Sequence, residues 1–407
     1  MLEPYRSAFN ECFTMGKYAD LLRLLKERTR TEIEFRVCET PCFFAPELMQ
    51  RLVRTGEELT AQLLGGEQYM RDSDAAIPAE YRVPGENEHP HFMTVDFGLV
   101  RNEAGELEPK LVEMQAFPSV FGYQAVLSQA YKEVYELDDG LQYLFGGMDE
   151  AAYWALLRRV IVGRHEPQNV VLLEIEPEEQ KTLPDFRVHE DRLGIRTVDV
   201  AKVLKQGNRL LYQREDGVLV PIERIYNRAI VDELVRKEVK LPFDYRDELN
   251  VEWAGHPNWY FRVSKFSIPY LRHSAVPAAL FLDKWFENEG WERLPKDRNQ
   301  WVLKPLYSFA GKGIQFAPSD DDLAVIPVEE RHNYLLQERV QFTPVIRTPE
   351  GITQAEIRIL YAWPDEGRMT PLTSLVRMGR GLMMGVDHNR NQTWIGASAA
   401  LIPKSAP

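Results

Sequence analysis

The segment Trp301-Val-Leu-Lys-Pro-Leu-Tyr-Ser-Phe-Ala-Gly-Lys-Gly-Ile314 constrains this chain more than any other stretch. An apolar run ends in Lys304, Pro305 stops it, and small residues bracket Lys312 before the chain turns apolar again at Ile314 and Phe316. The pattern predicts strand, loop, strand, with Lys304 projecting from the first strand and Lys312 from the loop tip. Two ammonium groups beside accessible backbone N–H groups suit a polyphosphate, because lysine neutralises charge and glycine lets the backbone approach the oxygens. The plain alternative is a surface hairpin with two solvated lysines. The chain contains neither G-x-x-x-x-G-K-[ST] nor G-x-G-x-x-G, so any nucleotide handling falls on this hairpin.

Composition narrows the classes. At 407 residues, 44% apolar and 27% charged, the chain has room for two or three domains of ordinary globular make-up. A net charge of −13 argues against general binding to nucleic acid or to an anionic membrane surface. The start, Met1-Leu-Glu-Pro-Tyr-Arg, shows no basic n-region followed by an apolar core. No apolar run approaches the roughly 20 residues of a membrane span. The cysteines are Cys12, Cys38 and Cys42. So low and odd a count points to a reducing compartment, and a cytoplasmic location is expected. Cys38 and Cys42 read as buried apolar thiols rather than metal ligands.

Along the chain, residues 1–88 read as a mostly helical N-terminal segment. Its best element is Pro46–Leu64, with apolar residues at Leu48, Leu52, Val53, Leu59, Leu63 and Leu64 and a proline in the first turn. Residues 89–165 open with a hairpin: strand 91–100, a polar turn around Gly105, return strand 110–119, then a helix over 122–143. Residues 166–235 read as a small open α/β unit. It has strand 169–175, a helix over 178–193, strand 194–198, a hairpin around Asp216-Gly217 and strand 225–230. Residues 236–407 are expected to be α+β, with a helix over 274–289, the lysine hairpin, and strands over 334–342, 354–363 and 371–378. The loop 386–394 reads as a ligand cover or plain surface.

Several residues bear on chemistry. Glu113 and Gln115 share one face of their strand, and a tight hairpin brings Asp96 beside them. Three oxygen-bearing side chains suit Mg²⁺, and two carboxylates opposite one another destabilise a sheet unless a cation lies between them. A solvated strand face is the alternative. Gln337 and Glu338 lie in an apolar strand whose end near Val340 offers backbone groups to an adenine edge. Arg358, Arg377 and Arg228 each sit on short apolar strands, as anion contacts or as exposed charges.

Together these features resemble the circularly permuted branch of the ATP-grasp superfamily, which includes the glutathionylspermidine synthase-like carboxylate–amine ligases. The resemblance spans roughly residues 90–400. It rests on Asp96-Phe97, Leu111-Val-Glu-Met-Gln-Ala-Phe-Pro118, Ile225-Tyr-Asn-Arg228, Leu303-Lys-Pro305 with Gly311-Lys-Gly313, and Gln337-Glu338, in that order. The metal hairpin precedes the lysine hairpin, the reverse of ordinary ATP-grasp enzymes. This chain departs from the pattern at three places: Gln115 stands for the usual asparagine, Pro118 comes one residue early, and Thr94-Val95 stands where an arginine precedes the Asp-Phe pair.

The resemblance implies an α+β / α/β fold: a circularly permuted ATP-grasp domain with a small preATP-grasp-like unit. It implies ATP and Mg²⁺. Lys304 and Lys312 would hold phosphates, with Ser308, Gly311 and Gly313 in a covering loop. Gln337, Glu338 and Val340 would border adenine, and Asp96, Glu113 and Gln115 would bind Mg²⁺. Arg358, with Arg228 and Arg377, would contact the transferring phosphoryl group. The implied reaction is amide formation between small-molecule or peptide-like carboxylate and amine substrates. A phosphotransferase, or a nucleotide-binding module without catalysis, stands as the alternative.

Overall fold

The computed structural model describes residues 2–287, 297–307, 313–384 and 391–404. The described residues form a mixed α+β architecture with four sheets.

The N-terminal segment contributes α1 (Glu3–Cys12), α2 (Met15–Thr29), α3 (Pro46–Leu64) and α4 (Glu67–Ala75). Helix α3 has the bounds its periodicity predicts, with proline in the first turn, where its missing N–H has no intrahelical partner to lose. Its buried stripe of Met49, Leu52, Leu59 and Leu63 shares a core with Val95, Phe97, Leu111, Ile357 and Ile359. Full burial of each such side chain contributes about 1.5–3 kcal/mol. Cys38 and Cys42 are buried here too, and burial pushes the Cys42 thiol up to about 12. No helix among the described residues is long and apolar enough to cross a membrane.

Those sheet residues belong to the largest sheet. Its order is β1 (Cys42–Phe43), β19 (Gly396–Pro403), β18 (Thr370–Gly379), β17 (Gly351–Ala362), β2 (Phe92–Arg101) and β3 (Leu107–Gln115). Two short strands, β4 (Leu141–Gln142) and β16 (Ile346–Thr348), flank β19 and β17. Every pairing is antiparallel except β1 with β19. One face rests on α3. The other is apolar at Phe92, Leu360, Leu372, Leu375 and Ala399, where α5 (Phe121–Val134) covers it. Farther along, that second face turns polar.

A second sheet is wholly parallel, in the order β11 (Glu252–Ala254), β10 (Arg224–Asn227), β5 (Val170–Glu174), β6 (Arg196–Asp199). From β5 the chain moves outward through α7 (Leu183–Leu193) to β6, then returns to the far side of β5 to form β10. The strand order therefore reverses between β5 and β10. The strand β11 comes from beyond residues 166–235. A three-stranded sheet, β7 (Leu204–Gln206), β8 (Arg209–Gln213) and β9 (Leu219–Ile222), carries the expected hairpin around Asp216-Gly217.

The last sheet is antiparallel, in the order β12 (Ala279–Phe281), β15 (Tyr334–Glu338), β13 (Trp301–Pro305), β14 (Gln315–Phe316). Here one expectation fails. The helix read over 274–289 is instead β12 followed by a five-residue helix, Leu282–Phe286. Pro277 disfavours helical backbone just before it, and the edge of β15 offers hydrogen-bond partners to Ala279–Phe281. Other elements are shorter than read. The helix over 122–143 ends at Val134, α7 begins at Leu183 with Pro184 in its first turn, and β15 stops at Glu338. Residues 386–390 of the polar loop lie outside the described residues, while Trp394 is buried.

Candidate active site

The polar part of the second face is a lattice of opposite charges, and strand register builds it. Along β17, Ile357 and Ile359 point to the α3 core, so Glu356 and Arg358 point the other way. Register sets Arg358 opposite Asp96, Asp96 opposite Glu113, and Glu356 opposite Arg377. Arg358 donates from Nε and Nη2 to the two oxygens of Asp96 at 2.6 and 2.7 Å. Arg377 Nη1 donates to Asp96 Oδ2 at 3.0 Å and to Glu356 Oε1 at 2.5 Å. Burial pushes the Asp96 carboxyl up, but the pull of Arg358 and Arg377 outweighs it and holds the group below the usual carboxylate range. Glu356 goes the other way: burial, reinforced by Asp96, raises it against the pull of Arg377.

The lysine sheet closes over this lattice. Lys304 is 8% exposed and its Nζ donates to the Val112 carbonyl at 3.3 Å. Burial lowers its pKa to about 8, with Glu113 opposing. Lys265, also buried, faces Glu113 Oε1 at 3.4 Å, and the Gln115 amide donates to the same oxygen at 3.0 Å.

These pairings decide how the expected metal ligands are placed. Both oxygens of Asp96 already accept from guanidinium groups, Glu113 faces Lys265, and the Gln115 carbonyl lies 3.5 Å from Arg358 Nη2. The cation expected between opposed carboxylates is supplied by arginine and lysine. A hard dication needs oxygen ligands free of competing cations, so the trio as paired does not fit Mg²⁺. No group of three or more His, Cys, Asp or Glu among the described residues is arranged to hold a metal.

Of the expected nucleotide wall, Gln337 is 1% exposed and its Oε1 has no hydrogen-bond partner among the described residues. Glu338 is exposed at the strand end, where its backbone N–H donates to the Ala278 carbonyl at 2.7 Å. Val340 is half-buried and presses with Phe342 on Gly98. A Cβ there would lie 2.8 Å from Val340 Cγ1 and 2.3 Å from Phe342 Cε1, so only glycine admits this close approach. Gly313 has φ +71° and packs on Pro305, where a Cβ would meet Cγ at 2.8 Å. Ser308, Gly311 and Lys312 lie outside the described residues.

The parallel sheet supplies the remaining wall. Arg228 follows β10 directly and Glu174 ends β5. The guanidinium lies 5.1 Å from the Phe117 ring centroid and 5.5 Å from that of Phe186. Its Nη2 donates to Thr182 Oγ1 at 3.4 Å, and its Nε is 4.0 Å from Glu174 Oε2. Burial pushes the Glu174 carboxyl up to about 8, against the pull of Arg228.

Asp96, Glu113, Gln115, Arg228, Lys304, Gln337, Glu338, Val340, Arg358 and Arg377 all line one cavity of about 500 Å³. Lys265, Glu356, Glu174 and Thr182 line it as well and were not singled out from sequence. Glu356 carried a signal, since it alternates with Arg358 on the same strand face. Lys265 had none, lying in a short 3₁₀ turn. A larger groove of about 1450 Å³ runs along Arg196–Asp199 and Tyr212–Asp216. It is lined largely by charged side chains, several of them paired with each other, and contains none of the expected residues.

No family model matches the chain, and no curated protein sequence matches it. A solved structure does. The chain is similar in fold to a glutathione synthetase-like effector of Globodera pallida in its apo form. The match has a TM-score of 0.57 at 12% identity and covers 96% of each chain. At that identity the likeness shows the fold alone, a mixed α+β architecture shared along nearly the whole of both chains.

Proposed function

We propose that the chain is an ATP-dependent carboxylate–amine ligase acting through an acyl phosphate, on a circularly permuted ATP-grasp arrangement. One observation carries the reading. Lys304 and Gln337 from one sheet, Arg358 and Arg377 from a second, and Arg228 from a third line a single cavity. A cavity with six basic residues (Lys265 and Arg339 complete the set) suits a polyanionic substrate. Lys304 holds the phosphates, and Gln337, Glu338 and Val340 border the base. A carboxylate oxygen of the substrate attacks the γ-phosphorus, the bond to the β-bridging oxygen breaks, and ADP leaves. The amine then attacks the acyl carbon, phosphate departs, and the amine loses a proton. The chain contributes positioning and charge neutralisation. No step is assigned to a cation on Asp96, Glu113 and Gln115.

The test is ADP release with ATP supplied as its magnesium salt. Release should require both a carboxylate and an amine, and hydroxylamine should intercept the intermediate as a hydroxamate. No release across a broad panel of both substrate classes would count heavily against the ligase. A second reading, nucleotide binding without turnover, is favoured by the engagement of both Asp96 oxygens with arginine. In that case ATP raises the melting temperature while no ADP forms.

A further inference from the structure

Each carboxylate on the lattice side of the cavity already has a cation of its own. Asp96 gives both oxygens to Arg358, at 2.6 and 2.7 Å, and shares one of them with Arg377 at 3.0 Å. Glu356 accepts from Arg377, which stands opposite it on the neighbouring strand. Glu113 Oε1 lies 3.4 Å from Lys265 Nζ. With Lys304 added, these three carboxylates face four cationic side chains, all lining one cavity. In phosphoryl-transfer sites Mg²⁺ bridges carboxylates and phosphate oxygens and offsets the polyphosphate charge. Here it would have to part buried carboxylates from their guanidinium partners, and it would add positive charge where cations already outnumber acids.

Arg377 is built to meet the polyphosphate directly. It rises from β18 and reaches over β17 to Asp96 on β2. Both acids are held by Nη1 alone. Among the described residues Nε and Nη2 have no hydrogen-bond partner, and neither belongs to the fully buried polar atoms that lack one. The side chain is 19% exposed, against 7% for Arg358. One nitrogen thus fixes the orientation of the guanidinium, and the other two face the cavity as a fork that matches phosphate oxygens. Lys304 enters the same cavity from the lysine sheet, so a chain of phosphates meets cations from both sheets.

We propose that Arg377, oriented by Asp96 and Glu356, takes the part of the divalent cation, so that the cavity binds a polyphosphate free of metal. That the polyphosphate is ATP rests on the ligase reading; the replacement of the cation rests on the pairing around Arg377.

Isothermal titration of the full chain with ATP, once in EDTA and once in millimolar magnesium, tests this. ATP should bind in EDTA at least as tightly as with magnesium. Arg377→Gln should weaken binding in EDTA by about tenfold or more, the effect of losing a charge-assisted hydrogen bond, and Arg377→Lys, which keeps a cation, should weaken it less. Tighter binding with magnesium, or binding only with it, would overturn the proposal, and that comparison needs no variant. So would an undiminished affinity in Arg377→Gln. Tripolyphosphate, titrated in EDTA alongside, separates the proposal from the nucleotide reading. If ATP binds under neither condition, the nucleotide reading fails. Tripolyphosphate binding that Arg377→Gln weakens would still uphold the cation replacement, whereas no binding of either anion would sink both.

Discussion

Arg358 grips both oxygens of Asp96, at 2.6 and 2.7 Å, from the strand directly beside it. The pair is buried and shares Arg377, so removing one partner strands a charge. Arg358→Met should cost about 3–5 kcal/mol, as for other broken buried pairs. Asp96→Asn combined with Arg358→Met should cost clearly less than the sum of the single changes. Urea denaturation of the four proteins measures this, and strict additivity would refute the coupling. Asp96 lies below its unfolded value of about 3.9, so its contribution is present above that pH. It is lost as pH falls through the lower folded value.

Glu174 has the opposite sign. Its folded pKa of about 8 lies above the unfolded value, so the folded state retains a proton that the unfolded chain gives up near pH 4.3. Wild-type stability should therefore drain away between those two values as pH rises. Glu174→Gln should be more stabilising at pH 8 than at pH 5, read from urea midpoints at each pH. An equal effect at both would show that the proton is not held.

Lys304 should make nucleotide affinity pH-dependent. Burial brings its pKa to about 8, so the unliganded site carries the charge at pH 7 and mostly lacks it at pH 9. The ATP-induced rise in melting temperature should shrink across that window. A shift that is flat from pH 7 to 9 would mean that Lys304 does not meet the phosphates.

Magnesium without nucleotide should leave the melting temperature unchanged, because Asp96, Glu113 and Gln115 are already paired within the protein. A saturable stabilisation by Mg²⁺ alone, lost in Asp96→Asn, would restore the metal assignment.

Gly98→Ala forces a methyl group against Val340 and Phe342. Overpacking of this kind costs about 1–3 kcal/mol. Displacing the 340–342 segment should also weaken ATP binding in isothermal titration. If affinity is unaffected, Val340 is not part of the nucleotide wall.

Much of this was legible where a strong local pattern met a single environment. The stripe of α3 and the Asp96–Glu113 hairpin are of that kind. Likewise, the apolar run into Lys304 announced a strand whose lysine is buried. The sequence was misleading where a tertiary partner overrode periodicity, as when the edge of β15 drew Ala279–Phe281 out of a helix. It was silent on pairing. Nothing local says that Asp96 meets two arginines contributed by strands more than 250 residues later, because that depends on which strands become neighbours. Arg228 was visible as an arginine after an apolar strand, but its setting between Phe117, Phe186, Thr182 and Glu174 emerged only from the packing.

The lattice of Asp96, Glu356, Arg358 and Arg377 lies on one sheet, whereas Lys304 and Gln337 ride on another, with the Lys304–Val112 hydrogen bond among the links between them. A rotation of the lysine sheet about that seam would carry Lys304 and Gln337 together and leave every distance within the lattice unchanged. The cleft thus has its floor on one sheet and its roof on another. Changes in the opening angle would alter what fits between them without disturbing the charges beneath.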